Sequence, residues 1–254
     1  MGKFDGILIM SDYDGTLSTR EGGISAKNRE AIEYFESEGG IFCISSGRQP
    51  NYIANLGKQV PINGWCIAIN GTVICTPDGK ESVFRAPFRR KTMVEFVKEV
   101  CKICPMRDHI RIVELDNTCH ILPREDAEDV IRTLKGPFYK FLCVTPDEYS
   151  DEYFESIKKI NTGDFYISRS WINGIEIQPQ GTTKGDAIDR IRSLYRHNID
   201  KVIAVGDYEN DIDMIEKADI GYAVANAVPA VKAVADRLTV SCRDDAIAAI
   251  IAEL

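Results

Sequence analysis

A chain of 254 residues can bury a sizeable core, as one large domain or two modest ones. Hydrophobic residues make up 44% and charged residues 28%, an ordinary globular balance, and no apolar run is long enough to span a bilayer. The formal net charge of -8 argues against a nucleic-acid binder, and an anionic substrate would need a local cation, metal or lysine, to reverse the field around it.

In chain order, Ile7 to Met10 is an unbroken apolar run that predicts a strand covered on both faces. A helix is expected from an N-cap near Ser25 to Gly39-Gly40, and a second strand over Ile41 to Ile44. Asn70-Gly71 and Pro77-Asp78-Gly79 are turn signals on either side of Thr72 to Cys75, which predicts hairpins. Helical stripes then run from Met93 to Cys104, through Ala127, Val130, Ile131 and Leu134, and through Phe154, Ile157 and Ile160. They are expected to cover one face of a mainly antiparallel sheet. Ala187, Ile188, Ile191, Leu194 and Tyr195 mark another helix, and Val202 to Val205 another buried strand. Further helices follow at Ile212 and Ile215 and at Ala246, Ile247, Ile250 and Ile251. The alternation predicts an α/β fold: a Rossmann-like parallel-sheet core from residues 1–80 and 180–254, with an α+β domain inserted over 81–179.

The start of the chain, Met1 to Gly6, has no secretory apolar stretch, so a cytoplasmic protein with reduced thiols is expected from its eight cysteines. Cys101-x-x-Cys104, with His109, Cys119 and His120 downstream, suggests a zinc site. Cys101 and Cys104 also continue the stripe of Met93, Val97 and Val100, and helix core is the preferred reading.

Chemistry concentrates where strands end. Ser11-Asp12-Tyr13-Asp14-Gly15-Thr16 follows the first strand, and two carboxylates one residue apart can divide nucleophilic attack from proton transfer. Ser45-Ser46-Gly47-Arg48 follows the second strand and offers a hydroxyl and a glycine that an anion can approach closely. Lys184, after Gly181-Thr182-Thr183, is read as opening a helix, where the dipole disfavours a cation and a functional reason is expected. Gly206-Asp207-Tyr208-Glu209-Asn210-Asp211 is an acidic cluster at the exit of the strand ending at Val205. Each motif has a local alternative in turn formation or helix capping. Together they lie where open parallel sheets bind ligands.

Asp12-x-Asp14-Gly15-Thr16, Ser46-Gly47-Arg48, Lys184-Gly185 and Gly206-Asp207-x-x-Asn210-Asp211 resemble the four ordered motifs of the haloacid dehalogenase superfamily. The insert, the Asn70-Gly71 turn and the Ile175-Glu176-Ile177 strand resemble its Cof-type branch, phosphatases with a large α+β cap. The resemblance implies that Asp12 attacks a phosphoryl group, that Asp14 works as acid and then base, and that Thr16 helps hold Asp14. It also implies that Mg2+ binds Asp12, the Asp14 carbonyl and Asp207, with Asp211 in support. Ser46, Gly47, Lys184 and Asn210 would bind the transferring oxygens, and Arg48 and Asn70 the substrate. Ser46 stands where threonine is frequent, and Thr72 where alanine is usual. The expected substrate is a small phosphorylated metabolite such as a sugar phosphate or phosphorylated cofactor, with no nucleic-acid or membrane partner and a monomeric or homodimeric state. His109, Arg111, Arg169, Trp171 and Asn173 are weaker candidates in the cap. The alternatives are a phosphomutase with the same aspartyl-phosphate and a receiver-like regulatory phosphoprotein.

Overall fold

The computed structural model describes residues 2–19, 23–103, 110–115, 118–122, 127–195 and 198–254; Cys104 and His109 lie outside them. Strand β1 (Ile7–Ser11) leads through helix α1 (Ala26–Ser37) to β2 (Ile41–Ile44) and α2 (Pro50–Leu56). Strands β3 (Cys66–Ala68), β4 (Val73–Cys75) and β5 (Ser82–Arg85) make a three-stranded sheet. Then come α3 (Arg90–Ile103), β6 (Ile110–Val113), β7 (Cys119–Leu122), α4 (Ala127–Thr133), β8 (Lys140–Val144), α5 (Ser150–Lys159), β9 (Phe165–Trp171) and β10 (Gly174–Pro179). The chain finishes through α6 (Asp186–Leu194), β11 (Lys201–Gly206), α7 (Ile212–Lys217), β12 (Ile220–Ala223), α8 (Pro229–Val234), β13 (Arg237–Leu238) and α9 (Ala246–Glu253). It divides into two compact units, Met1–Phe84 with Thr183–Leu254, and Arg85–Thr182.

The first unit holds a parallel sheet in the order β13-β12-β11-β1-β2. Leu8, Ile9 and Met10 of β1 are fully buried, as are Val202 to Val205 of β11, because strands inside a parallel sheet have no solvent face. Complete burial of such a side chain stabilises by roughly 1.5–3 kcal/mol. Ser25 caps α1, its side chain accepting from the Asn28 amide at 3.0 Å. The buried Asn28 side chain donates to Leu17 O at 3.4 Å and accepts from the Ala248 amide at 2.9 Å, tying the loop after β1 to α9. The strand order reverses between β1 and β11, so the carboxyl ends of these two strands form the switch point where open α/β sheets bind ligands.

The second unit is a five-stranded antiparallel sheet in the order β7-β6-β8-β10-β9. Alternate residues Ile110, Ile112, Phe141, Cys143, Ile175 and Ile177 share one core with Met93, Val97, Val100 and Cys101 of α3, Ile131 of α4 and Ile157 of α5. Cys101 is therefore helix core. Cys119 is exposed, and the His120 Nε2 atom pairs with Glu114 Oε1 at 2.6 Å. No disulfide joins the described cysteines, and no helix among the described residues is long and apolar enough to cross a membrane.

One carboxylate in the first unit is poorly accommodated. Glu36 of α1 is half-buried with its Oε1 atom unpartnered, and burial pushes its carboxyl up to about 7, Glu33 adding to the effect and a bond from the Asn63 backbone opposing it. The folded chain then binds more protons than the unfolded chain between the ordinary glutamate value and about 7, so stability falls as pH rises through that window. Urea unfolding at pH 8 should show Glu36→Gln more stable than the parent by about 1–2 kcal/mol, allowing for screening of a half-exposed group. The difference should close below about pH 5. A gap that persists at acid pH contradicts this account.

Candidate active site

Asp12 is placed by the pairing of β1 with β11. Its amide donates to Val205 O at 3.0 Å, which sets it beside Asp207 just beyond the end of β11. The turn that follows needs glycine. Gly15 has φ +90°, and a Cβ there would lie 2.4 Å from Asp207 Oδ2. Its carbonyl accepts from Asn226 Nδ2 at 2.8 Å, and the Thr16 hydroxyl donates to Asp207 Oδ1 at 3.5 Å. The resemblance had given Thr16 the task of holding Asp14, but with the turn folded this way its hydroxyl faces Asp207 instead.

Lys184 and three aspartates form the centre. The Lys184 ammonium, fully buried, donates to Asp12 Oδ1 and to Asp211 Oδ1, both at 2.6 Å. Asp211 Oδ2 accepts from the amides of Asp207 at 3.0 Å and Tyr208 at 3.2 Å, so this carboxylate also organises the loop after β11. Asp12, Asp207 and Asp211 each bring an oxygen to within 4.8 Å of the others, and all three residues are buried. Burial pushes the Asp12 carboxyl well above its usual range; Lys184 opposes this, while Asp211 and Asp207 add to it. Burial works against the Lys184 charge, but Asp12 and Asp211 outweigh it and hold the ammonium above the ordinary lysine value. Lys184 lies at the start of α6, as expected: it immediately follows Thr183, whose carbonyl accepts from the Ala187 amide at 3.2 Å.

A second group lies at the end of β2. Ser46 Oγ accepts from the Arg48 amide at 3.2 Å, and Ser46 O accepts from the Asn70 amide at 3.0 Å. Asn210 Nδ2 donates to Asn70 Oδ1 at 3.2 Å, joining the turn after β3 to the loop after β11. Ile69 and Asn70 have φ of +49° and +55°, a left-handed pair that a β-branched residue adopts only at a cost of about 1–3 kcal/mol. Bonds from the Ile69 amide to Arg48 O and from the Thr72 hydroxyl to Ile69 O hold it there. Arg48 clasps both carboxylate oxygens of Asp14 at 2.9 Å while its guanidinium lies 4.2 Å from the Tyr52 ring centroid.

The sequence candidates in the second unit have other partners. Arg169 pairs with Asp151 and lies over Phe154, the Trp171 ring packs against Gly174, Asn173 O accepts from the Thr145 amide, and Arg111 is exposed on β6. Asn226 is a further structural residue of the site: its Oδ1 accepts from the Ser241 hydroxyl and the Cys242 amide while Nδ2 secures Gly15 O. Its only local signal is an asparagine just past a strand. Tyr52, the third residue of α2, carries no such signal in the sequence.

The carboxylate set suits a divalent cation that prefers hard oxygen donors. It can equally present one carboxylate to an electrophile beside an ammonium. A sequence model of haloacid dehalogenase-like hydrolases matches residues 9–251. The chain is 27% identical to the 5-amino-6-(5-phospho-D-ribitylamino)uracil phosphatase YcsE of Bacillus subtilis, over 95% of this chain and 92% of that protein. It is 30% identical to phosphoglycolate phosphatase 2 of Saccharolobus solfataricus, over 92% and 85%. A haloacid dehalogenase-like hydrolase from Bacillus subtilis has a similar fold, with TM-score 0.82 at 19% identity, over 97% and 99% of the two chains.

Burial separates two substitutions that look alike on paper. Lys184→Met removes the cation from a buried carboxylate cluster and should destabilise the metal-free protein by about 3–5 kcal/mol in urea unfolding. Arg48→Ala breaks a pair whose side chains are 45% and 43% exposed, and should cost under about 1 kcal/mol. Equal losses would contradict the burial argument.

Proposed function

The chain belongs to the haloacid dehalogenase-like hydrolases, and on that premise we propose that it is a Mg2+-dependent phosphomonoesterase for small phosphorylated metabolites, working through an aspartyl-phosphate at Asp12. The observation that carries this reading is the buried Lys184 ammonium bridging Asp12 and Asp211, with Asp207 in the same cluster. The names of the relatives, one a phosphatase of a phosphorylated ribityl compound and one of phosphoglycolate, support the substrate class. The inserted α+β unit is the one expected of the Cof-type branch.

A carboxylate oxygen of Asp12 attacks phosphorus and the ester P–O bond breaks, while Asp14 gives its proton to the leaving oxygen. Asp14 then takes a proton from water as that water attacks the acyl phosphate, releasing inorganic phosphate and restoring Asp12. Lys184, the Ser46 hydroxyl, the Gly47 amide and Asn210 bind the oxygens of the transferring group, the electrostatic work that dominates phosphoryl transfer. Asp12, Asp207 and the Asp14 backbone carbonyl would hold the Mg2+, with Asp211 in support, and the ion when bound would add positive charge beside those oxygens. Arg48 occupies both oxygens of Asp14, so Asp14 can donate a proton only after Arg48 lets go of at least one of them. Arg48 and Asn70 are then placed to meet the rest of the substrate. A reducing, cytoplasmic setting accords with seven described cysteines outside any disulfide.

The purified protein should hydrolyse p-nitrophenyl phosphate with Mg2+ and lose this activity to EDTA. Asp12→Asn should lower kcat at least about a thousandfold. Metal-independent turnover that survives this substitution would overturn the proposal.

A further inference from the structure

The loop that carries Lys184 is held by a set of charged residues that take no part in the chemistry above. Thr183 and Asp186 cap each other: the Thr183 amide donates to Asp186 Oδ2 at 3.0 Å, and the Asp186 amide donates to Thr183 Oγ1 at 2.9 Å. The Thr183 hydroxyl donates in turn to Asp213 Oδ2, on the first turn of α7. From the next turn of α7, Lys217 Nζ reaches Asp186 Oδ1 at 2.8 Å and Asp213 Oδ1 at 3.1 Å. Gly185 lies so close to α7 that a Cβ would stand 2.4 Å from both Asp213 O and Asp213 Oδ2, so no side chain fits between the loop and the helix.

These contacts join two segments that each supply part of the buried centre. The Thr183-Gly185 loop presents Lys184, and the chain entering α7 presents Asp207, Asn210 and Asp211. Asp213 lies two residues beyond Asp211, and Thr183 one residue before Lys184. The clamp therefore fixes the backbone on both sides of the Lys184–Asp211 contact. Three isolated surface groups would not need this geometry: the side chains of Asp186, Asp213 and Lys217 are 24%, 23% and 40% exposed, yet all converge on one turn. Burial works against ionised Asp186, but Lys217 and the Thr183 donors hold its carboxyl below the usual range.

We propose that Asp213, with Lys217 and Asp186, is a positioning device that sets the Lys184 ammonium against Asp12 and Asp211. Its bearing on turnover rests on the phosphatase reading above, whereas its bearing on Lys184 does not. Two readouts on the full chain test it. The first is steady-state hydrolysis of p-nitrophenyl phosphate with Mg2+. Asp213→Asn and Lys217→Met should each lower kcat about tenfold with KM within about twofold, and Lys217→Arg should keep most of the activity. The second is competitive acetylation of lysines by acetic anhydride, mapped by mass spectrometry. Lys184 should label at least about fivefold faster in Asp213→Asn than in the parent, while Lys140, buried against Glu176 in the other unit, should not change. Unchanged Lys184 labelling, a parallel rise at Lys140, or faster labelling with kcat intact would each overturn the proposal. If the parent protein fails to hydrolyse any phosphomonoester, the phosphatase reading falls and the labelling result alone decides the clamp.

Discussion

Three aspartates and one lysine share a buried pocket of charge at the ends of β1 and β11. With all four ionised the group carries two surplus negative charges, which a protein interior does not tolerate without a counter-charge. The chain offers two remedies. Asp12 can keep its proton, the direction in which burial drives it, or a divalent cation can bring the sum to zero. On the proposed reading, the second would leave Asp12 anionic and able to act as a nucleophile. The same electrostatic deficit that makes the cluster costly in isolation would suit it to a divalent cation, whose charge would add to that of Lys184 in attracting an anionic substrate.

The rest of the first unit is arranged so that this concentration of charge can exist. Fully buried runs in β1 and β11 fix the strand ends rigidly, and their parallel register puts Asp12 and Asp207 side by side. Gly15 lets the Asp207 carboxylate sit against the turn after Asp12, and Asn226 secures that turn from the loop after β12. Backbone strain at Ile69 and Asn70 is localised where the Asn70 amide meets Ser46 and its side chain meets Asn210. Arg48, stacked on Tyr52 and paired with Asp14, holds the exposed rim.

How much of this could be read from the sequence depended on the range of the interaction. Unbroken apolar runs, the Ser25 cap and the period of the helical stripes are local signals, and they gave the parallel core, the inserted antiparallel sheet and the helix-core role of Cys101. The motif residues could be picked out because each follows a strand. Their side-chain partners could not. Arg48 with Asp14, Thr16 with Asp207 and Asn226 with Gly15 span 34 to 211 positions, and no periodicity encodes such distances. Arg169 looked available for a ligand because its partner Asp151 lies on a helix whose placement over the sheet is a tertiary fact.

The charge balance at this cluster is the claim on which the function depends, and calorimetric titration of the metal-free protein with Mg2+ measures it most directly. The account predicts one site per chain, lost in Asp207→Asn, with a cation-induced rise in thermal stability that disappears in the same variant. Binding that is absent in the parent, or unchanged when Asp207 is replaced, would contradict it.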